Sequence, residues 1–194
     1  MRKLNLFLSS LLMILLFFTS CEKSDSKEDI NLDGDAIVIN YGGYESGNGE
    51  FSLVDEANKT ITNNYFKLKN GIDFASNIQS ASLYDGKLYC MTNSADKIDI
   101  INIKDFKQET SISDNIAKPR YSAAQDGKIY ISCLGQVADW SKVPNSYLAV
   151  LDVKTQKVTK YPKAGGIEGV IVVDDKVYCA GYSKKRSSRF RHKN

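Results

Sequence analysis

A chain of 194 residues with 42% apolar side chains has the size of one domain and an ordinary globular composition, which excludes a low-complexity or collagen-like polymer. Its formal charge of +3 hides a division: eight of the 26 basic side chains lie at Arg2, Lys3 or in the last eleven residues, so the body from Cys21 to Ser183 holds 18 against 23 acidic ones. A body at about −5 argues against nucleic-acid binding, because phosphate recognition needs clustered positive charge.

In chain order, Arg2 and Lys3 precede an apolar run from Leu4 to Phe18 and then Phe18-Thr19-Ser20-Cys21. The run is short for a transmembrane span and ends at small residues before a cysteine, so residues 1–20 read as a secretory leader. The pattern resembles a bacterial lipoprotein signal, which implies that the Cys21 thiol is diacylated and becomes the new N-terminus. An ordinary signal peptide with an incidental cysteine is the alternative. Residues 21–35 then form a tether, with Glu22 to Asp29 wholly polar and unable to build a core. Within it, Lys27-Glu28-Asp29 resembles the signal that sends Bacteroidota lipoproteins to the outer face of the outer membrane. Asp29, Asn31, Asp33, Gly34 and Asp35 match half of a calcium loop, but Asn40 stands where the bidentate glutamate belongs, so no metal is expected.

From Ala36 onward, strand alternation and turn residues recur. Ala36–Tyr41, Glu50–Asp55 and Thr60–Phe66 form a first set of strands around a glycine-rich loop, 42–49, and a longer loop, 67–78, follows. Three copies of one hairpin come next: Asp85-Gly86-Lys87-Leu88-Tyr89, Asp126-Gly127-Lys128-Ile129-Tyr130 and Asp174-Asp175-Lys176-Val177-Tyr178, with anchors 41 and 48 residues apart. That is the period of a propeller blade. Each Asp-Gly or Asp-Asp pair supplies the positive φ that a tight hairpin requires. A second landmark follows an apolar strand at Asp55–Thr60, Asn102–Phe106 and Asp152–Lys157, the turn between the third and outermost strands of each blade.

The expected fold is therefore an all-β propeller of four-stranded blades, residues 36–183 providing about three and a half of a ring of seven. Cys90 and Cys179 fall on non-adjacent copies of the repeat and Cys133 on a third, so buried unpaired thiols are expected rather than a disulfide or a zinc site. Residues 184–194, KKRSSRFRHKN, change character. They read as a disordered basic tail, a patch for anionic lipid, or out-of-frame sequence after a truncated gene, since seven blades would need about 300 residues.

Tyr89-Cys90-Met91-Thr92-Asn93 is similar, with one extra residue, to the Tyr-Val-Thr-Asn motif of YncE-like bacterial propellers, and residues from about Ile37 to Tyr182 resemble that family. Asn40-Tyr41-Gly42-Gly43 through Asp55 is similar to the opening blade of Bacteroidota surface lipoproteins, though two of the four opening residues depart. Ile167-Glu168-Gly169-Val170 stands where such propellers often have Pro-Glu-Gly-Ile. The resemblance implies an outer-membrane lipoprotein facing the cell exterior, and some members capture corrinoids for a TonB-dependent transporter. Capture of a cobalamin-like corrinoid is the expectation it supports. A non-enzymatic surface interaction protein, or a truncated remnant without function, is the alternative.

Aligning the repeat on its aspartates places Gln79, Arg120 and Glu168 at one equivalent position just before the innermost strand, at the mouth of the central channel. Trp140, in the long loop 134–146, and Tyr41 and Tyr44, in the corresponding loop of the first blade, add aromatic platforms suited to a polar, partly flat ligand. The competing role for Arg120 and Glu168 is an interblade pair of satisfied charges, and for Trp140 a loop anchor. His192 is the single histidine and lies in the tail, so no body nucleophile has an imidazole base and no enzyme or cofactor is expected.

Overall fold

The computed structural model describes residues 34–44, 47–137, 140–181 and the backbone of 188–191. The expected leader over residues 1–20, Cys21, the Lys27-Glu28-Asp29 segment read as an address, and residues 29–33 of the calcium look-alike lie outside the described residues. Asp35, the last residue of the expected tether, is described: its Oδ2 accepts the Glu56 N–H at 2.6 Å.

The protein is all-β, with four antiparallel sheets in chain order, none closed. The first contains β1 (Ala36–Asn40), β2 (Glu50–Asp55) and β3 (Thr60–Thr62). The second contains β4 (Ser80–Tyr84), β5 (Lys87–Thr92), β6 (Lys97–Asn102) and β7 (Gln108–Ile112). The third runs β8 (Pro119–Gln125), β9 (Lys128–Cys133), β10 (Tyr147–Asp152) and β11 (Val158–Pro162). The fourth holds β12 (Ile167–Val173), β13 (Lys176–Gly181) and β14 (Ser188–Arg191).

The repeated hairpins form as their sequence requires. Asp85 and Gly86 (φ 49° and 66°), Asp126 and Gly127 (49° and 73°) and Asp174 and Asp175 (47° and 56°) all lie in the left-handed region, the backbone of a two-residue turn whose twist matches its strands. The second landmark is equally regular. Asp55 Oδ1 accepts Asn58 N–H at 2.9 Å, Asn102 Oδ1 accepts Lys104 N–H at 2.9 Å and Asp152 Oδ1 accepts Thr155 N–H at 2.8 Å. These side chains close the turn locally, which is why Asp or Asn stands there. By this landmark β1–β3 correspond to the last three strands of sheets two and three, and β12–β14 to the first three.

Two segments differ from the sequence reading. The strand expected over Thr60–Phe66 ends at Thr62, and Tyr65–Asn70 forms a short helix, α1. Tyr65 and Phe66 are both buried. In an edge strand successive side chains point to opposite faces, so one of the two would meet solvent, whereas a helical turn brings both inward. The Glu50 carboxylate completes the turn, accepting Phe66 N–H at 2.6 Å and Lys67 N–H at 3.3 Å. In the basic segment 184–194, Ser188–Arg191 pairs with β13 as β14, setting Phe190 opposite Val177.

Apolar clusters fill the space between successive sheets. In β5, Leu88 and Cys90 join Phe51 and Leu53 of the first sheet, while Tyr89 and Met91 join Ile129 and Ile131 of the third. The third cluster sets Tyr130 and Leu148 against Val170, Val177 and Cys179. Period-two alternation thus sends neighbouring residues to opposite sides of a sheet covered on both faces. Each fully buried large side chain contributes roughly 1.5–3 kcal/mol. Cys90, Cys133 and Cys179 are free thiols inside these layers.

The first strands of the last three sheets, β4, β8 and β12, lie side by side, joined by side chains instead of a backbone ladder. Ser80 Oγ donates to Arg120 O at 2.7 Å, the Ser82 and Ser122 hydroxyls meet at 2.7 Å, and Ser132 Oγ donates to Glu168 O. Hydroxyl bridges leave each sheet its own register while fixing the three strands at one end.

Candidate functional site

That end holds the candidate site. The first residues of β8 and β12 carry the same irregularity: pairing with the next strand shifts between Pro119 and Ser122, and again between Ile167 and Val170. A bulge bends the strand and re-aims the side chains within it. Arg120 and Glu168 are those side chains. Pro119 contributes by lacking an N–H for the ladder, and Gly169 by lacking a side chain to constrain it. Gln79 precedes β4, tied by its N–H to Met91 O at 2.8 Å.

The three residues converge. Arg120 Nε donates to Glu168 Oε2 at 3.0 Å and Oε1 at 3.2 Å, and its Nη1 donates to Gln79 Oε1 at 2.7 Å. The charged side chains are each about one-fifth exposed, 22% for Arg120 and 20% for Glu168, so the pair is screened but reachable from solvent. The guanidinium also lies 6.0 Å from the centre of the Tyr121 ring, and Tyr121 is 40% exposed. Repeat alignment does not single out Tyr121, because the alternation of β8 assigns it no special place.

Tyr41 and Tyr44 reach the same end from the first sheet. Tyr41 O accepts the Ile78 N–H at 3.0 Å, next to Gln79. The Lys118 ammonium sits 5.9 Å above the Tyr44 ring and 3.4 Å from Asp96 Oδ1. Gly49 lets this loop approach, since a Cβ there would come 2.5 Å from Ser76 O. Trp140 stands apart: it is 63% exposed, and among the described residues no hydrogen bond or ring contact joins it to the other five. Its loop is tied down elsewhere, by buried Val143 and by Ser146 Oγ, which accepts Gly166 N–H at 2.9 Å.

Asn77, two residues before Gln79, is a polar group that the repeat alignment does not reach. It is fully buried, and its Oδ1 accepts Ser94 N–H at 2.8 Å, which fixes the orientation of the amide. Its Nδ2 has no partner among the described residues. Also among the described residues, no group of three or more His, Cys, Asp or Glu side chains is placed to hold a metal ion. The arrangement offers a hydrogen-bonding surface of one guanidinium, one carboxylate and one amide, with the Tyr121 ring beside the guanidinium.

A model for a domain of unknown function, DUF5074, matches residues 34–186. The chain belongs to the DUF5074 family. All six candidate ligand residues fall inside that DUF5074 match. No curated protein matches the chain. Among solved structures, the DUF5074 chain is similar to the computationally designed Ika4 protein at 9% identity and a TM-score of 0.56, covering 82% of this chain and 94% of that one. It is also similar to the computationally designed Ika8 protein at 10% identity and a TM-score of 0.50, covering 77% of this chain and 45% of that one, so it spans under half of Ika8. At such identities the likeness is one of fold alone.

Proposed function

We propose that the four sheets are consecutive blades of a β-propeller, seven in the closed ring, and that the end where Gln79, Arg120 and Glu168 meet is a capture site for a small polar ligand. The observation that carries this reading is the convergence of three equivalent side chains from three adjacent innermost strands on one hydrogen-bonded centre. The inner end of such sheets is where propellers place ligands. Following the lipoprotein resemblance, the chain is held at the outer membrane through Cys21, faces the exterior, and hands a cobalamin-like corrinoid to a TonB-dependent transporter. Its role is binding, without catalysis. The peripheral amides of a corrinoid supply the donors and acceptors that Arg120, Glu168 and Gln79 would exchange, and its flat face suits Tyr41 and Tyr44.

A second reading rests on the same contacts: Arg120 is already engaged by Glu168 and Gln79, as a strut between blades would be. Calorimetric titration with cyanocobalamin separates the two. Heat of binding that Arg120→Ala abolishes in a folded protein supports capture. A folded wild-type sample that gives no heat removes the corrinoid, and a variant that loses only stability leaves the strut.

A further inference from the structure

A second site lies away from that end, in the crevice between the second and third sheets beside their inner hairpin turns. We propose that this crevice, walled by Tyr84, Tyr89, Ile100, Ile112, Leu151 and Val153, binds a small uncharged amphiphile of about one ring, held by a hydrogen bond to the Tyr89 hydroxyl. Its volume is about 400 Å³, within the range of small-molecule sites and ample for a single ring.

The Tyr89 phenol carries the argument. Its residue is 2% exposed, yet among the described residues its hydroxyl has no hydrogen-bond partner. A hydroxyl with no protein partner is free to bond a molecule that enters beside it. The oxygen is not sealed, because Asn77 Nδ2 is the unpartnered side-chain polar atom enclosed among the described residues, so Tyr89 Oη opens into the crevice it lines. The neighbouring Tyr84 hydroxyl is differently placed, accepting the Gly127 N–H at 2.6 Å. Burial, with Asp85 and Glu109 nearby, pushes the Tyr89 phenol up from its ordinary value, so it remains a neutral donor at physiological pH.

The rim selects against net charge. Lys87 is paired with Glu109 at 2.6 Å, and the remaining rim charges, Asp85 and Lys154, are of opposite sign. An ion would gain one partner and meet one opponent, whereas a neutral ring loses little water and fills the apolar wall.

The test uses p-cresol, toluene and benzoate as probes of the full chain, followed by saturation-transfer NMR titration. The expected order is p-cresol tightest, with toluene and benzoate each at least about fivefold weaker, the factor for one neutral hydrogen bond. Tyr89→Phe, which keeps the ring and removes the oxygen, brings p-cresol down to toluene and leaves toluene unchanged. Thr110→Trp, on the crevice wall and compatible with a strand, fills the space and weakens both. Equal binding of p-cresol and toluene to the wild type, p-cresol binding indifferent to Tyr89→Phe, or no transfer to any probe overturns the proposal.

Discussion

Arg120 of β8 and Glu168 of β12 lie 48 residues apart in sequence and meet at 3.0 Å, each within a register shift at the same point of the repeat. Both side chains are about four-fifths buried, so their attraction is only partly screened. Removing the Arg120 guanidinium takes from the Glu168 carboxylate both hydrogen bonds that Nε donates to it. Arg120→Met is expected to cost about 1.5–3 kcal/mol. In a cycle with Glu168→Gln, the coupling is about 1–2 kcal/mol by urea denaturation. Coupling below about 0.3 kcal/mol, the level at which independent sites add, would mean that solvent screens the pair.

Two glycines in positive-φ turns separate backbone cost from steric cost. Gly127 (φ 73°) has nothing within 4 Å of a built Cβ, whereas a Cβ on Gly135 (φ 71°) would come 2.2 Å from Asn145 O. Gly127→Ala should lose about 1–2 kcal/mol, the penalty of an L-residue in that region. Gly135→Ala adds a clash with backbone and should lose about 3 kcal/mol or more. Thermal melts of the two variants check the ranking, and equal losses would sink the steric part.

The features legible in sequence are those fixed by local chemistry. Asp85-Gly86 and Asp126-Gly127 announce their hairpins because few other pairs tolerate two positive φ angles, and Asp55 and Asp152 announce their turns by bonding their own backbone. Repeat register then placed Gln79, Arg120 and Glu168 at one level, which is where they meet. Features fixed by distant partners were not legible. Helix α1 depends on Glu50 of β2 receiving the Phe66 N–H, and the crevice beside Tyr89 is walled by side chains of two separate sheets. The long loop and the ring of Trp140 make it a platform in sequence, whereas the path of that loop is set by buried Val143 and by the Ser146–Gly166 hydrogen bond, which local chemistry does not announce.

Glu50 gives a direct test of that distant support. Its Oε1 accepts both Phe51 N–H at 2.9 Å and Phe66 N–H at 2.6 Å, and the residue is 9% exposed. Glu50→Ala strands two buried donors, at about 1–3 kcal/mol for each unsatisfied group, whereas Glu50→Gln keeps an acceptor and should fall between. Amide hydrogen exchange at Phe66 should accelerate in Glu50→Ala more than exchange at Ile131, in a different core layer. Uniform acceleration would show that Glu50 supports the whole fold and not α1 in particular.

The buried thiols predict an alkaline limit to stability. Burial pushes Cys133 up to about 12 and Cys179 up to about 11, and raises Cys90 well above its ordinary value. In each case the low-dielectric layer between sheets disfavours the thiolate. In the unfolded chain all three titrate near the ordinary cysteine value of about 8.5–9. Below that range both states hold the proton and pH has no leverage through these groups. Above it the unfolded chain loses protons that the folded one keeps, so unfolding is favoured as pH rises, by up to about 1.4 kcal/mol per pH unit for each thiol. The loss continues until the folded pKa is passed, near 11 for Cys179 and near 12 for Cys133. In a Cys21→Ser background, urea midpoints should therefore hold up to about pH 8.5 and fall steeply from 9 to 10.5. Cys133→Ala and Cys179→Ala should each flatten the slope by about one proton while lowering the plateau through lost packing. A thiol-reactive disulfide reagent at pH 8 gives the kinetic counterpart, because only the thiolate attacks: the three should react at the rate of unfolding, and immediate labelling of Cys133 in the native protein would contradict its burial.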